Sequence, residues 1–82
     1  MPTILRFDGL WVVIYPNDHR PAHVHVIGNG CEAVFRLNCP NGPPRLGENY
    51  GFARTDVTHI EAMLTAGLGI ACDGWERIHG DA

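Results

Sequence analysis

Lysine is missing from this 82-residue chain, and charged residues make up only 18% of it. Six arginines face nine carboxylates, giving a formal net charge of −3 with neutral histidines. Duplex DNA and anionic membranes reward a continuous basic face, so neither is an expected partner. A local arginine cluster could still hold one phosphate or a short RNA. Long hydrophobic runs are missing too: no stretch approaches the ~20 apolar residues of a membrane helix. The opening Met1–Arg6 lacks the charged, apolar and cleavage regions of a signal peptide, so a cytoplasmic location is expected. Cysteine is limited to Cys31, Cys39 and Cys72. An odd count with no C-x-x-C spacing excludes a disulfide scaffold and a four-cysteine zinc site, and reduced, half-buried thiols are expected. Aromatics are few (9%), with no ladder interleaved with basic residues as in single-strand nucleic-acid binders. Trp11 and Trp75 are therefore read as packing residues.

What is present is ordinary globular material, 45% hydrophobic, and enough for one domain over residues 1–82. Strands fall within residues 3–38. Thr3 to Phe7 and Leu10 to Tyr15 are apolar and β-branched runs separated by Asp8-Gly9, and His23 to Gly28 and Cys31 to Asn38 are separated by Asn29-Gly30. Both dipeptides suit two-residue type I′ turns, whose central positions need positive φ. Residues 39–53 form a Pro- and Gly-rich loop, with a short fifth strand compatible with Arg45 to Asn49. From Asp56 the period becomes helical: Val57, Ile60, Leu64, Gly67 or Leu68, Ala71, Trp75 and Ile78 build one apolar stripe over about 56–79. Thr55 is the expected N-cap and Gly80 the expected stop. Gly67, Gly69 and Gly74 each weaken the helix by ~1 kcal/mol relative to Ala, and a bend near Gly67 to Gly69 is anticipated. The fold class is α+β: two β-hairpins in an antiparallel sheet, packed on one C-terminal helix.

A two-residue turn at Asn29-Gly30 fixes the pairing of the second hairpin. His25 then faces Val34, Val24 faces Phe35, and His23 faces Arg36. Opposed residues share a face and successive residues alternate. Val24, Val26, Ala33, Phe35 and Leu37 form the core face. His23, His25, Ile27, Glu32, Val34 and Arg36 take the other. His59 and His79 fall beside the apolar stripe and are expected to face water.

Upstream, Asn17-Asp18-His19-Arg20-Pro21-Ala22-His23-Val24-His25 is the densest chemistry in the chain. Three readings stay open for it. The histidines could be solvated surface groups. They could bind zinc, with His23 and His25 joined by His19 or Asp18; His19 would then have to fold back toward His23, which weighs against metal. Or two histidines could be the general acid and base of metal-free phosphodiester chemistry while Arg36 steadies phosphate charge. The cupin and histidine-triad patterns do not fit, because Glu32 lies too far from His25 and Ile27 stands where a third alternating histidine would be.

Met1-Pro2-Thr3-Ile4, Arg6-Phe7, Gly9, and above all Asp18-His19-x-Pro21-x-His23-x-His25 resemble the small prokaryotic family known as domain of unknown function 4160. The resemblance covers nearly the whole chain, including a C-terminal helix with a tryptophan, here Trp75. Ala22 and Val24 stand where the family commonly has a second proline and an aromatic. The resemblance implies a small cognate partner (domain of unknown function 2442) and the toxin role in a toxin–antitoxin pair. The expected active surface is His19, His23, His25 and Arg36, with Asp18 orienting a histidine and RNA as substrate. The opposing expectation is a non-catalytic binding module, an antitoxin or an inhibitor of a host or phage defence complex, pairing through an exposed sheet edge with a partner strand or blocking a larger protein's basic site; a homodimer is also compatible.

Overall fold

A computed structural model describes residues 3–80. The Met1-Pro2 start of the family-like string and the Asp81-Ala82 end of the expected 1–82 domain lie outside the described residues. Five strands run in chain order: β1 (Thr3–Phe7), β2 (Leu10–Val13), β3 (His23–Gly28), β4 (Cys31–Arg36) and β5 (Arg45–Tyr50). They form one antiparallel sheet in the order β1-β2-β3-β4-β5. Two helices follow, α1 (Arg54–Ala66) and α2 (Leu68–His79).

Both hairpin turns have the expected backbone. Asp8 and Gly9 have φ of 50° and 75°, and Asn29 and Gly30 have 52° and 74°. The β3–β4 register is the one a two-residue turn dictates, with His25 opposite Val34, Val24 opposite Phe35 and His23 opposite Arg36. Val24, Val26, Ala33, Phe35 and Leu37 are accordingly buried, as are Ile60, Leu64, Leu68, Ala71 and Trp75 from the helices. The fifth strand is a full edge strand over Arg45–Tyr50, every residue of it exposed.

The single C-terminal helix expected over about 56–79 is two helices, divided at Gly67, within the Gly67 to Gly69 stretch whose glycines anticipated a bend. The Gly67 N–H still donates to Met63 O (3.0 Å) and its carbonyl accepts from Ala71 (3.0 Å), so the second helix starts where the first ends. Gly74 has a packing reason: a Cβ there would stand 2.8 Å from Ile4 Cδ1. The missing side chain lets α2 close onto β1, which offsets the lost helix propensity. The N-cap is Ala53 rather than Thr55, because the helix begins two residues early. Asp56 then reaches back to accept the Ala53 N–H at 3.4 Å. Gly80 terminates α2 with φ 82° and donates to Glu76 O.

The cysteine expectation is overturned. Cys39 and Cys72 form a disulfide with Cα atoms 5.9 Å apart, leaving Cys31 as the free thiol. The odd count left one thiol over and did not prevent a pair. The partners are separated by 33 residues. What joins them is the Pro-rich loop lying on α2, where a Cβ on Gly42 would meet Leu68 Cδ2 at 2.8 Å. Trp11 is also not a core residue. It is 41% exposed, and the Arg6 guanidinium lies 4.3 Å from its ring centroid, a cation–π contact on the sheet face away from the helices.

Candidate functional site

The site begins with a turn. Pro16 and the Asn17-Asp18 pair bend the chain after β2, with the Asp18 N–H donating to Tyr15 O at 3.0 Å. The Tyr15 N–H in return donates to Asp18 Oδ2 at 3.1 Å. This reciprocal pair fixes the carboxylate before any other side chain meets it.

Two histidines from β3 converge on that carboxylate. His25 Nε2 lies 3.2 Å from Asp18 Oδ2 and 3.3 Å from Oδ1, and His23 Nε2 lies 3.5 Å from Oδ2. Their other ring nitrogens are also engaged. His23 Nδ1 meets Pro21 O at 2.8 Å, and since a carbonyl only accepts, the proton sits on Nδ1. His25 Nδ1 lies 3.2 Å from Glu32 Oε2, so this ring has a carboxylate at each nitrogen. Glu32 is on β4, diagonal to His25 across the ladder, within reach of a long side chain. The side chains of Asp18, His23 and His25 are only 15–17% exposed.

Aromatic rings enclose the cluster. Tyr15 packs edge-on to His25 at 4.6 Å between centroids, and His25 to His23 at 5.4 Å. His23 lies 5.1 Å from Trp75, which stacks on His79 at 4.1 Å. Among the described residues the Trp75 Nε1–H has no hydrogen-bond partner, and the indole is held by ring packing. His79 is therefore not a solvent-facing residue. It is half-buried, and its Nε2–H donates to Tyr15 O at 3.1 Å, tying the end of α2 to the turn that carries Asp18. His59 does face water, paired with Asp8. The Tyr15 phenol is held above its ordinary pKa, first by burial and then by the charges of Glu32 and Asp18.

Beside the cluster lies a groove of about 330 Å³ lined by His19, Arg20, His23, Val34, Arg36 and Glu48, among others. His23 belongs to both features. His19 and Arg36, expected alongside the strand histidines, border the groove and take no part in the Asp18 cluster. Arg36 pairs across the ladder with Arg45. Two opposed like charges destabilise a sheet unless something anionic meets them.

The match to a known family model runs over residues 9–76, most of the chain, and the model is that of a domain of unknown function, DUF4160. The chain belongs to the DUF4160 family. The matched span contains Asp18, His19, His23, His25, Glu32, Arg36 and Trp75, and stops short of His79. No curated protein and no solved structure matches this DUF4160 chain.

Four parts of the site were missed from the sequence: Tyr15, Glu32 as a histidine partner, Trp75 and His79. Glu32 had a signal, since the hairpin register already places it diagonal to His25 on the same face. Trp75 and His79 had none, because their place depends on how α2 crosses the end of the sheet.

Proposed function

We propose that this DUF4160 protein is the toxin-like member of a bacterial or mobile-element toxin–antitoxin module and acts on RNA in the cytoplasm. One observation carries the reading: the groove joins two arginines and an open histidine to the enclosed Asp18–His23–His25 cluster. RNA cleavage begins when a ribose 2′-hydroxyl attacks the adjacent phosphorus. It needs a proton acceptor, a proton donor for the leaving 5′ oxygen, and positive charge on the phosphoryl oxygens. Arg36 and Arg20 supply the charge. His19, exposed at the groove, and His23, which lines it and ties it to the Asp18–His23–His25 cluster, are the proton carriers of this reading. A net charge of −3 restricts contact to a short substrate rather than a duplex.

Expression of the chain without its small cognate partner should arrest bacterial growth and yield an RNA-cleaving protein. His23→Ala or His25→Ala, checked for folding by circular dichroism, should lower cleavage by ~10²–10⁴-fold. Arg36→Lys should also impair it, because lysine keeps the charge and loses the bidentate fork. A folded double histidine variant with full activity would sink the proposal.

A second reading, a non-catalytic binding module, is favoured by β5. This edge strand is exposed along its whole length, with Leu46 39% and Tyr50 60% exposed, and it offers unpaired backbone groups to a partner strand or a second copy. It predicts no intrinsic activity and an inhibitory effect that tracks partner affinity.

A further inference from the structure

We infer that Asp18, His23 and His25 form a binding site for one zinc ion, with Glu32 and the Pro21 carbonyl as its supporting shell. The argument starts from the tautomers. Pro21 O takes the Nδ1 proton of His23, whereas His25 has a carboxylate at each ring nitrogen, Glu32 at Nδ1 and Asp18 at Nε2. Neutral His23 then presents Nε2 as a bare lone pair, and neutral His25 does the same in the tautomer whose Nδ1–H donates to Glu32. Both Nε2 atoms lie within 3.5 Å of the Asp18 carboxylate, which is itself an acceptor. In that tautomer three acceptors meet at one point, and one metal ion satisfies all three at once, where a proton on His25 Nε2 satisfies only the His25–Asp18 pair.

The spacing agrees. Tetrahedral zinc with bonds of ~2.0–2.2 Å sets neighbouring ligand atoms ~3.3–3.6 Å apart. The Asp18–histidine separations are 3.2 to 3.5 Å, and one donor atom from each of the three residues lies within 4.8 Å of the others. Ligating histidines almost always donate their second N–H to a carboxylate or carbonyl, which fixes the ring and raises its basicity. His23 does so to Pro21 O, and His25 has the Glu32 carboxylate placed to receive the same bond. The Tyr15 N–H does the corresponding work for the Asp18 carboxylate. Two imidazoles suit zinc, whereas magnesium and calcium prefer shells of oxygen. Three protein ligands leave the fourth position open. His23, one of the three, also lines the groove. Of the two third ligands the sequence offered, Asp18 and not His19 stands with the strand histidines, so no fold-back of His19 is needed.

Zinc binding stands on this geometry alone. Only the use of the ion, to polarise a phosphoryl oxygen or to bind a water at the open position, rests on the RNA reading. Chelator-treated full-length protein titrated with zinc chloride alone should bind about one equivalent and gain thermal stability, and magnesium chloride should do neither. Cobalt chloride should give the visible absorption bands of a tetrahedral site. His23→Ala, His25→Ala and Asp18→Asn should lose the equivalent, and Asn can still accept the Tyr15 N–H so that the turn survives. Glu32→Gln should weaken affinity about 10–100-fold at unchanged stoichiometry. His19→Ala and Cys31→Ser should bind like the parent. No zinc uptake and no thermal shift by the unsubstituted protein would overturn the site, as would equal losses in His19→Ala and His25→Ala. Zinc uptake without growth arrest would uphold the site and defeat the RNA reading; growth arrest by protein that takes up no metal would do the reverse.

Discussion

Replacing Phe35 with alanine tests the foundation of the site, because the histidine face exists only if Phe35 and its alternating neighbours point into the core. Phe35 is fully buried, opposite Val24 on β3, and the surrounding cluster includes Trp75, Ile60 and Leu64. Removing a buried phenyl ring costs ~3–5 kcal/mol in lost transfer energy and residual cavity. A chain of this length has about 4–12 kcal/mol of total stability, so the variant should sit near the edge of unfolding. At ~4–8 °C per kcal/mol for a domain of this size, its midpoint should fall by roughly 12–40 °C. Arg36→Ala, one residue along and exposed, should stay within about 0.5 kcal/mol of the parent. Urea unfolding followed by tryptophan fluorescence measures both variants, with buried Trp75 as the main reporter. A cost below about 1 kcal/mol for Phe35→Ala, or an equal cost for Arg36→Ala, would refute the register and remove the basis for grouping His23 with His25.

The disulfide predicts that air-oxidised, denatured protein exposes one reactive thiol, Cys31, and three after reduction. Replacing both Cys39 and Cys72 by serine should cost ~3–4 kcal/mol through the entropy of the opened loop, and a thiol count of three before reduction would contradict the pairing. The Tyr15 phenol gives a pH prediction. Its folded pKa is raised above ~10, so the folded chain holds that proton more tightly than the unfolded one. The resulting stability is complete below the unfolded pKa and is lost as pH rises through the folded value. Tyr15→Phe should flatten the alkaline arm of the stability curve, and an unchanged arm would assign the effect elsewhere.

Local chemistry determined the sheet. Asn29-Gly30 and Asp8-Gly9 favour the left-handed φ values that a two-residue turn requires, and once the turn is set, strict alternation assigns every side chain of β3 and β4 to a face. His23 and His25 therefore share a face on sequence grounds alone, and Glu32 comes with them. The helical stripe was equally legible, although its split into two helices at Gly67 was read only as a bend near Gly67 to Gly69. These features involve residues close in sequence, where backbone geometry leaves few alternatives.

Tertiary structure decided what local geometry leaves free. Asp18 rather than His19 meets the histidines because the Tyr15–Asp18 turn aims the carboxylate at β3, and a two-sided hydrogen bond of that kind has no periodicity to read. Cys39 meets Cys72, and Trp75 and His79 close around His23 and Tyr15, only because α2 lies on the Pro-rich loop and across the end of the sheet. Such contacts span 33 to 64 residues of chain. Their formation depends on the summed packing of the whole core, and no short stretch of sequence encodes that.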